Sequence, residues 1–256
     1  ILEIPMSPLK GIHLGALEQA LQQHTVHACL VISNFNNPLG NCMPDGEKKA
    51  LARLLRRFNV PLIEDDINGD ISHGPTRPSV VKSWDTRGDV LLCSSFSKTL
   101  APGYRMGWIA PGKYHDAVMR QKLVTNIATA SPPQLAVAQF LSTGGYDHHL
   151  RSIGKSYAGK VAQMADAVGR FFPKGTRVTR PSGGFTLWVE LPRGTDSLTL
   201  YTLAREKGIS IAPGNIFSTT ADFSHCIRLN AAFWSQDTRW AVETLGTLAR
   251  HLSVSQ

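Results

Sequence analysis

Short apolar runs alternate with segments of helical periodicity through the first hundred residues. Leu17, Ala20 and Leu21 stand at i, i+3 and i+4, the spacing of one helix face, and the strand-like run ACLVIS follows at 28–33. The loop NFNNPLGNCMPDGE leads into a second helical pattern, whose apolar face is Ala50, Leu51, Leu54, Leu55 and Phe58. VPLIED at 60–65 reads as the next strand, giving the strand, crossover helix, strand order of a parallel βαβ unit. DVLLCSS at 89–95 is almost continuously apolar, the pattern of a parallel strand covered on both faces.

After residue 130 the texture changes. Leu150, Ile153, Tyr157, Val161, Met164, Val168 and Phe171 step by three or four, which predicts a long helix over about 147–172. Shorter strands are expected at 185–191, 209–213 and 226–230, with helices near 197–207 and 236–252. The pattern predicts an α/β protein with a mostly parallel sheet in a larger domain, 1–150, and a small α/β domain, 151–256. No internal repeat or low-complexity tract interrupts it.

Composition narrows the class. With 256 residues, 42% of them hydrophobic, the chain can bury a core without disulfide or metal staples. No apolar run approaches the roughly 18 residues of a membrane helix, and no charged-then-apolar leader opens the chain, so no membrane partner and a cytoplasmic location are expected. Cys29, Cys42, Cys93 and Cys226 are far apart, with no metal-ligand spacing, and are expected to be reduced and buried. The first residue, Ile1, sits inside the apolar phrase ILEIP, as in a piece that starts within a domain. The formal charge is +8, and residues 151–180 carry seven basic side chains against one acid, Asp166. Such a stretch is a solvated helix face or a nucleic-acid surface; no aromatic interleaving accompanies the charges.

In open α/β sheets ligands bind beyond the carboxyl ends of the strands. Three polar clusters fall there: Asn37-Pro38-Leu39-Gly40, Glu64-Asp65-Asp66, and Ser95-Phe96-Ser97-Lys98 with Arg105 seven residues on. An amide, a carboxylate, an amine, hydroxyls and a guanidinium on one rim suit an anionic, nitrogen-containing aromatic ligand. Ser-x-x-Lys alone says little, because it occurs three times, and the S-D-N and K-T-G partners of a serine acylase are absent.

Taken together, NNPLG, IEDDINGD, SFSKTLAPGYRMGW, and CIRLN after GGFTLWVEL resemble the fold-type I aminotransferases that use pyridoxal phosphate (PLP), over essentially the whole chain. The match is nearest to the aminotransferase-like domain of MocR-type regulators, where it follows a GntR-type winged helix. The resemblance implies Lys98 as the Schiff-base lysine and Asp65, rather than Asp66, as the partner of the pyridinium nitrogen. It implies Asn37 on the ring's phenolate oxygen, Ser95, Ser97 and Arg105 on the phosphate, and Arg228 on the substrate carboxylate, with Asn37 also among the substrate-binding residues. Gly183 and Gly184 would allow close backbone approach or form a plain turn.

Two departures stand out. Asn68 occupies the position of a family tyrosine that also bonds the phenolate oxygen, and the family's Gly-rich phosphate loop and ring-stacking aromatic are missing. The resemblance thus implies effector sensing of an amino acid or amine within a homodimeric regulator that meets DNA only through a domain outside this chain. The alternative is a free-standing aminotransferase of an amino acid and a 2-oxo acid; direct DNA binding by 151–180 is a third reading.

Overall fold

The computed structural model describes residues 1–220 and 222–254. By its internal contacts the chain divides into two compact units, Ile1–Asn36 with Asn41–Gly154, and Asn37–Gly40 with Lys155 onward. The tetrapeptide Asn37–Gly40 therefore groups with the C-terminal unit.

The first unit opens with a two-stranded hairpin, β1 (Met6–Ser7) and β2 (Gly11–Ile12), followed by α1 (Leu14–Gln23). The His13 ring nitrogen caps α1 by accepting from the Ala16 N–H at 3.1 Å. The main sheet runs in the order β3 (Cys29–Val31), β4 (Leu62–Asp65), β5 (Val90–Ser95), β6 (Gly107–Ala110). The first three strands are parallel and β6 is antiparallel to β5. The crossover from β3 to β4 is α2 (Asp45–Arg57), whose Leu51, Leu54 and Leu55 pack with Leu17, Val31, Leu62 and Val90 to form the core of this unit.

Alternation along the strands sends the other residues to the opposite face, and that face is open. Leu30, Ile63 and Leu91 are aligned neighbours across β3, β4 and β5, yet Leu30 is 68% exposed. On β5, where coverage of both faces was expected, the residues of this side, Leu91, Cys93 and Ser95, are half-buried, so the strand is fully covered on one face and partly on the other. Residues 28–33 also yield only the three-residue strand Cys29–Val31. Two helices without a counterpart in the hydrophobic pattern follow, α3 (His115–Asn126) and α4 (Ser131–Ser142); α3 has no buried residue, so it carries no apolar stripe to read.

The long helix α5 (Gly145–Phe171) continues into the second unit. Its sheet is antiparallel, in the order β7 (Arg177–Val178), β8 (Thr186–Glu190), β10 (Cys226–Asn230), β9 (Ala212–Pro213). The helices α6 (Ser197–Glu206) and α7 (Arg239–Val254) join α5 on one face of it. Leu187 and Val189 of β8 oppose Leu229 and Ile227 of β10, and all four lie in that core. The strand expected at 209–213 shortens to Ala212–Pro213. All four cysteines are free; Cys29 and Cys226 are buried, whereas Cys42 and Cys93 are only half-buried. Burial pushes the Cys29 thiol up to about 11 and that of Cys226 up to about 12, which keeps both protonated.

Because Leu51 is fully buried and Leu30 faces outward, Leu51→Ala should cost about 2–5 kcal/mol of stability and Leu30→Ala less than about 0.5 kcal/mol. Denaturant unfolding checks this; equal losses would contradict the assignment of faces.

Candidate functional site

Strand register brings the chemistry of the first unit to one sheet edge. Asp65 is the last residue of β4 and pairs with Cys93 on β5, so the turn after Ser95 begins next to the loop after Asp65. Three successive carboxylates part ways here because alternate side chains face opposite sides of a strand. Glu64 is fully buried; it accepts from the Ser33 hydroxyl at 2.5 Å and from the N–H groups of Val81 and Lys82 at 2.7 and 2.9 Å. Asp65 is half-buried, with Oδ1 accepting from the Ile67 N–H at 3.2 Å. Asp66 is buried again, between the Asn34 amide at 2.8 Å and the Arg77 guanidinium.

Removal from water outweighs the attraction of Arg77 and pushes the Asp66 carboxyl up to about 6. Lys48 completes this interior, fully buried, donating to Asn34 Oδ1 at 2.7 Å and to the Ser79 carbonyl at 2.8 Å. A Cβ at Gly69 would run into the Asp66 carboxylate, so a side chain there would displace it. These contacts give Asp66 a structural role and leave Asp65 as the carboxylate at the strand end. Asn68 is 8% exposed and donates its amide to the Phe35 carbonyl at 3.0 Å.

The segment after β5 is a tight turn. The Ser95 hydroxyl lies 2.9 Å from that of Ser97 and accepts from the Ser97 N–H at 3.0 Å; the Phe96 N–H donates to Met106 O at 3.0 Å, and the Leu100 N–H to Phe96 O at 2.8 Å. Two serine hydroxyls are thereby held together at the strand end, while Lys98 is exposed with no partner among the described residues. Arg105 is also exposed and holds a left-handed backbone, φ 51°, with Nη1 3.4 Å from the Pro102 carbonyl. Gly107, which pairs with Ser95, has its backbone too near the Ser94 carbonyl for a side chain; a Cβ would stand 2.8 Å from it.

The second unit carries Asn37 and Arg228. Arg228 pairs with Trp188 across β10 and β8, on the face opposite the helices. Its guanidinium lies 5.3 Å from the Phe217 ring centre, and Trp188 meets the rings of Phe217 and Phe223 edge-on, each at 5.6 Å. Nη1 donates to Asn37 Oδ1 at 2.9 Å, whereas Nε is buried without a partner among the described residues. Burial holds the Arg228 pKa below the usual guanidinium range. Gly184 has a positive φ of 69° at the turn before β8.

The basic stretch 151–180, read from the sequence as a solvated helix face or a nucleic-acid surface, is partly paired within the chain. Arg180 pairs with Asp166 at 2.9 Å, Arg177 with Glu190 at 2.6 Å, and Lys160 donates to the Ala232 carbonyl at 2.7 Å. Among the described residues no group of three or more His, Cys, Asp or Glu could hold a metal ion, and no helix is long and apolar enough to cross a membrane.

Residues 3–245 match the family model of aminotransferase class I and II, and the chain belongs to that family. It is similar to the HTH-type transcriptional regulator YjiR of Escherichia coli, 39% identical over 96% of this chain and 53% of that protein. It is also similar to aromatic-amino-acid aminotransferase 1 of Thermococcus litoralis, 29% identical over 90% of this chain and 57% of that protein. The structure of LysN, the alpha-aminoadipate aminotransferase of Thermus thermophilus complexed with N-(5'-phosphopyridoxyl)-L-leucine, superposes with a TM-score of 0.93 at 26% identity, over 100% of this chain and 66% of that one. The fold is that of the fold-type I aminotransferases. The chain spans about half the length of the curated relatives it matches.

With its carboxyl raised to about 6, Asp66 binds its proton more tightly folded than unfolded. It therefore favours folding below about pH 4 and loses that contribution as the pH rises through about 6. The melting temperature of the wild type, measured relative to Asp66→Asn, should fall between about pH 4 and 7. A difference independent of pH would contradict the assignment.

Proposed function

We propose that this chain is the PLP-binding, aminotransferase-like part of a MocR/GntR-type transcriptional regulator, sensing an amino acid or amine through Lys98. The observation that carries the reading is the Ser95–Lys98 turn: an exposed lysine in the same turn as two clustered hydroxyls, after the strand that pairs with Asp65, in a chain of the aminotransferase family. The donor set fits the cofactor, because it offers an amine for the aldehyde, a carboxylate for the ring nitrogen and hydroxyls with a guanidinium for the phosphate. When bound, PLP supplies an aldehyde that joins amines and a ring that takes up electron density.

Lys98 would provide the amine and afterwards carry a proton through Nζ. Asp65 would hold a proton at the ring nitrogen. Ser95, Ser97 and Arg105 would bind the phosphate; the left-handed backbone of Arg105 supports a functional role, since such strain in a non-glycine residue gathers at binding sites. The Asn37 amide nitrogen would serve the phenolate oxygen while its carbonyl orients Arg228. Arg228 would grip the carboxylate of the amino acid, and its unpartnered buried Nε supports that role by leaving a donor in need of an acceptor. The Asn68 amide retains one hydrogen beyond that given to Phe35 for the same oxygen.

Relatives named as HTH-type regulators, 39% and 41% identical, favour sensing; in this reading DNA contact belongs to a domain beyond this chain, and the protein works as a cytoplasmic homodimer. The likeness to named aminotransferases favours a second reading, transamination between an amino acid and a 2-oxo acid.

Titrating the full-length protein with PLP should raise an absorbance band near about 400–430 nm that Lys98→Ala lacks. Amino acids that displace the band without sustained release of 2-oxo acid support sensing, whereas steady turnover supports the enzyme. Arg228→Ala should weaken the amino-acid response by roughly 10- to 100-fold. A band that survives Lys98→Ala sinks the proposal.

A further inference from the structure

The turn that bears Lys98 and the loop that bears Asp65 and Asn68 are joined by a residue far along the chain. Tyr146, in the first turn of α5, is 8% exposed and brings its phenol to 2.8 Å from Asp70 Oδ2 and 3.0 Å from Thr99 Oγ1. A phenol has one hydrogen and an ionised carboxylate has none, so Tyr146 donates to Asp70 and accepts from the Thr99 hydroxyl. Two further contacts fasten the same turn to the same helix. The Phe96 ring meets the Tyr146 ring edge-on at 5.7 Å, and His149 Nε2 lies 2.6 Å from the Thr99 carbonyl. Positions 96 and 99 are thus both held, with the exposed Lys98 between them.

From Asp70 the connection runs onward: Arg77 Nε donates to Asp70 Oδ1 at 2.5 Å, and the same guanidinium pairs with Asp66, the residue next to Asp65. Tyr146 and Thr99 are largely shut off from water, where hydrogen bonds are electrostatically stronger and their loss more costly. A chain of five side chains therefore spans from the lysine turn to the end of β4.

We propose that Tyr146, acting through Asp70 and Thr99, is a positioning residue that sets the Lys98 amine in register with the Asp65 strand end. The inference rests on the PLP reading above. It assigns Tyr146 no contact with cofactor or substrate, only control over how the amine is presented, and hence over how readily Lys98 joins the cofactor and titrates once joined.

The test compares Tyr146→Phe, Thr99→Val and Thr99→Ser with the wild type in the full-length protein, following the absorbance of Lys98-bound PLP against pH and against PLP concentration. Tyr146→Phe and Thr99→Val should each move the pH midpoint by about half a unit or more and weaken PLP binding about fivefold, while Thr99→Ser, which keeps the hydroxyl, stays with the wild type. If Tyr146→Phe does not fold, the Val and Ser pair at Thr99 decides. Lower melting temperatures with an unmoved midpoint and unchanged PLP affinity reduce the contacts to a brace and overturn the proposal. Absence of the band in the wild type would overturn the PLP reading, and this inference with it.

Discussion

The parallel pairing of β4 with β5 is the constraint on which the rest depends. Four aligned residue pairs, from Leu62–Val90 to Asp65–Cys93, bring two loops distant in sequence to one sheet edge. One loop begins with Asp65 and the other holds Ser95, Ser97 and Lys98. A slip of one residue would turn Glu64 out of the core and Asp65 into it, so the buried bonds that Glu64 makes to Ser33, Val81 and Lys82 also guard the register.

Around that edge, charged groups are sorted by how completely they are satisfied. Lys48, Glu64 and Asp66 are fully buried, and each meets several hydrogen-bonding groups; they build the frame. Asp65, Lys98 and Arg105 are left half-buried or exposed, with few partners or none among the described residues. Interiors tolerate ionisable groups only when they are paired, and the groups left open at this strand end support the proposal that they serve a ligand. Arg228 in the second unit follows the same logic. One nitrogen is engaged by Asn37, and another is buried and unsatisfied.

Much of the fold was legible because its elements carry strong apolar periods. The long helix and β10, Cys226–Asn230, lie where the hydrophobic pattern sets them. Helices α3 and α4 escaped because they bury almost nothing, so no stripe marks them. Strand β6 escaped because Gly-Trp-Ile-Ala is short and continues directly from the Arg105 turn. Among the candidate site residues, the order of motifs singled out Lys98, Asp65 and Arg228. It could not reveal that Asp66 belongs to a buried network, or that the Asn68 amide is engaged by Phe35, since those partners lie 32 and 33 residues away. Tyr146 was hidden for the same reason; it meets Asp70 and Thr99 across 76 and 47 residues, a link that exists only once the chain is folded.

The central claim is that this edge presents one particular lysine to PLP. Borohydride reduction of the PLP-loaded protein, followed by peptide mapping, tests it most directly. A pyridoxyl group on Lys98 and on no other lysine is the expected result. Label on other lysines with Lys98 unmodified, or no label at all, would contradict the account.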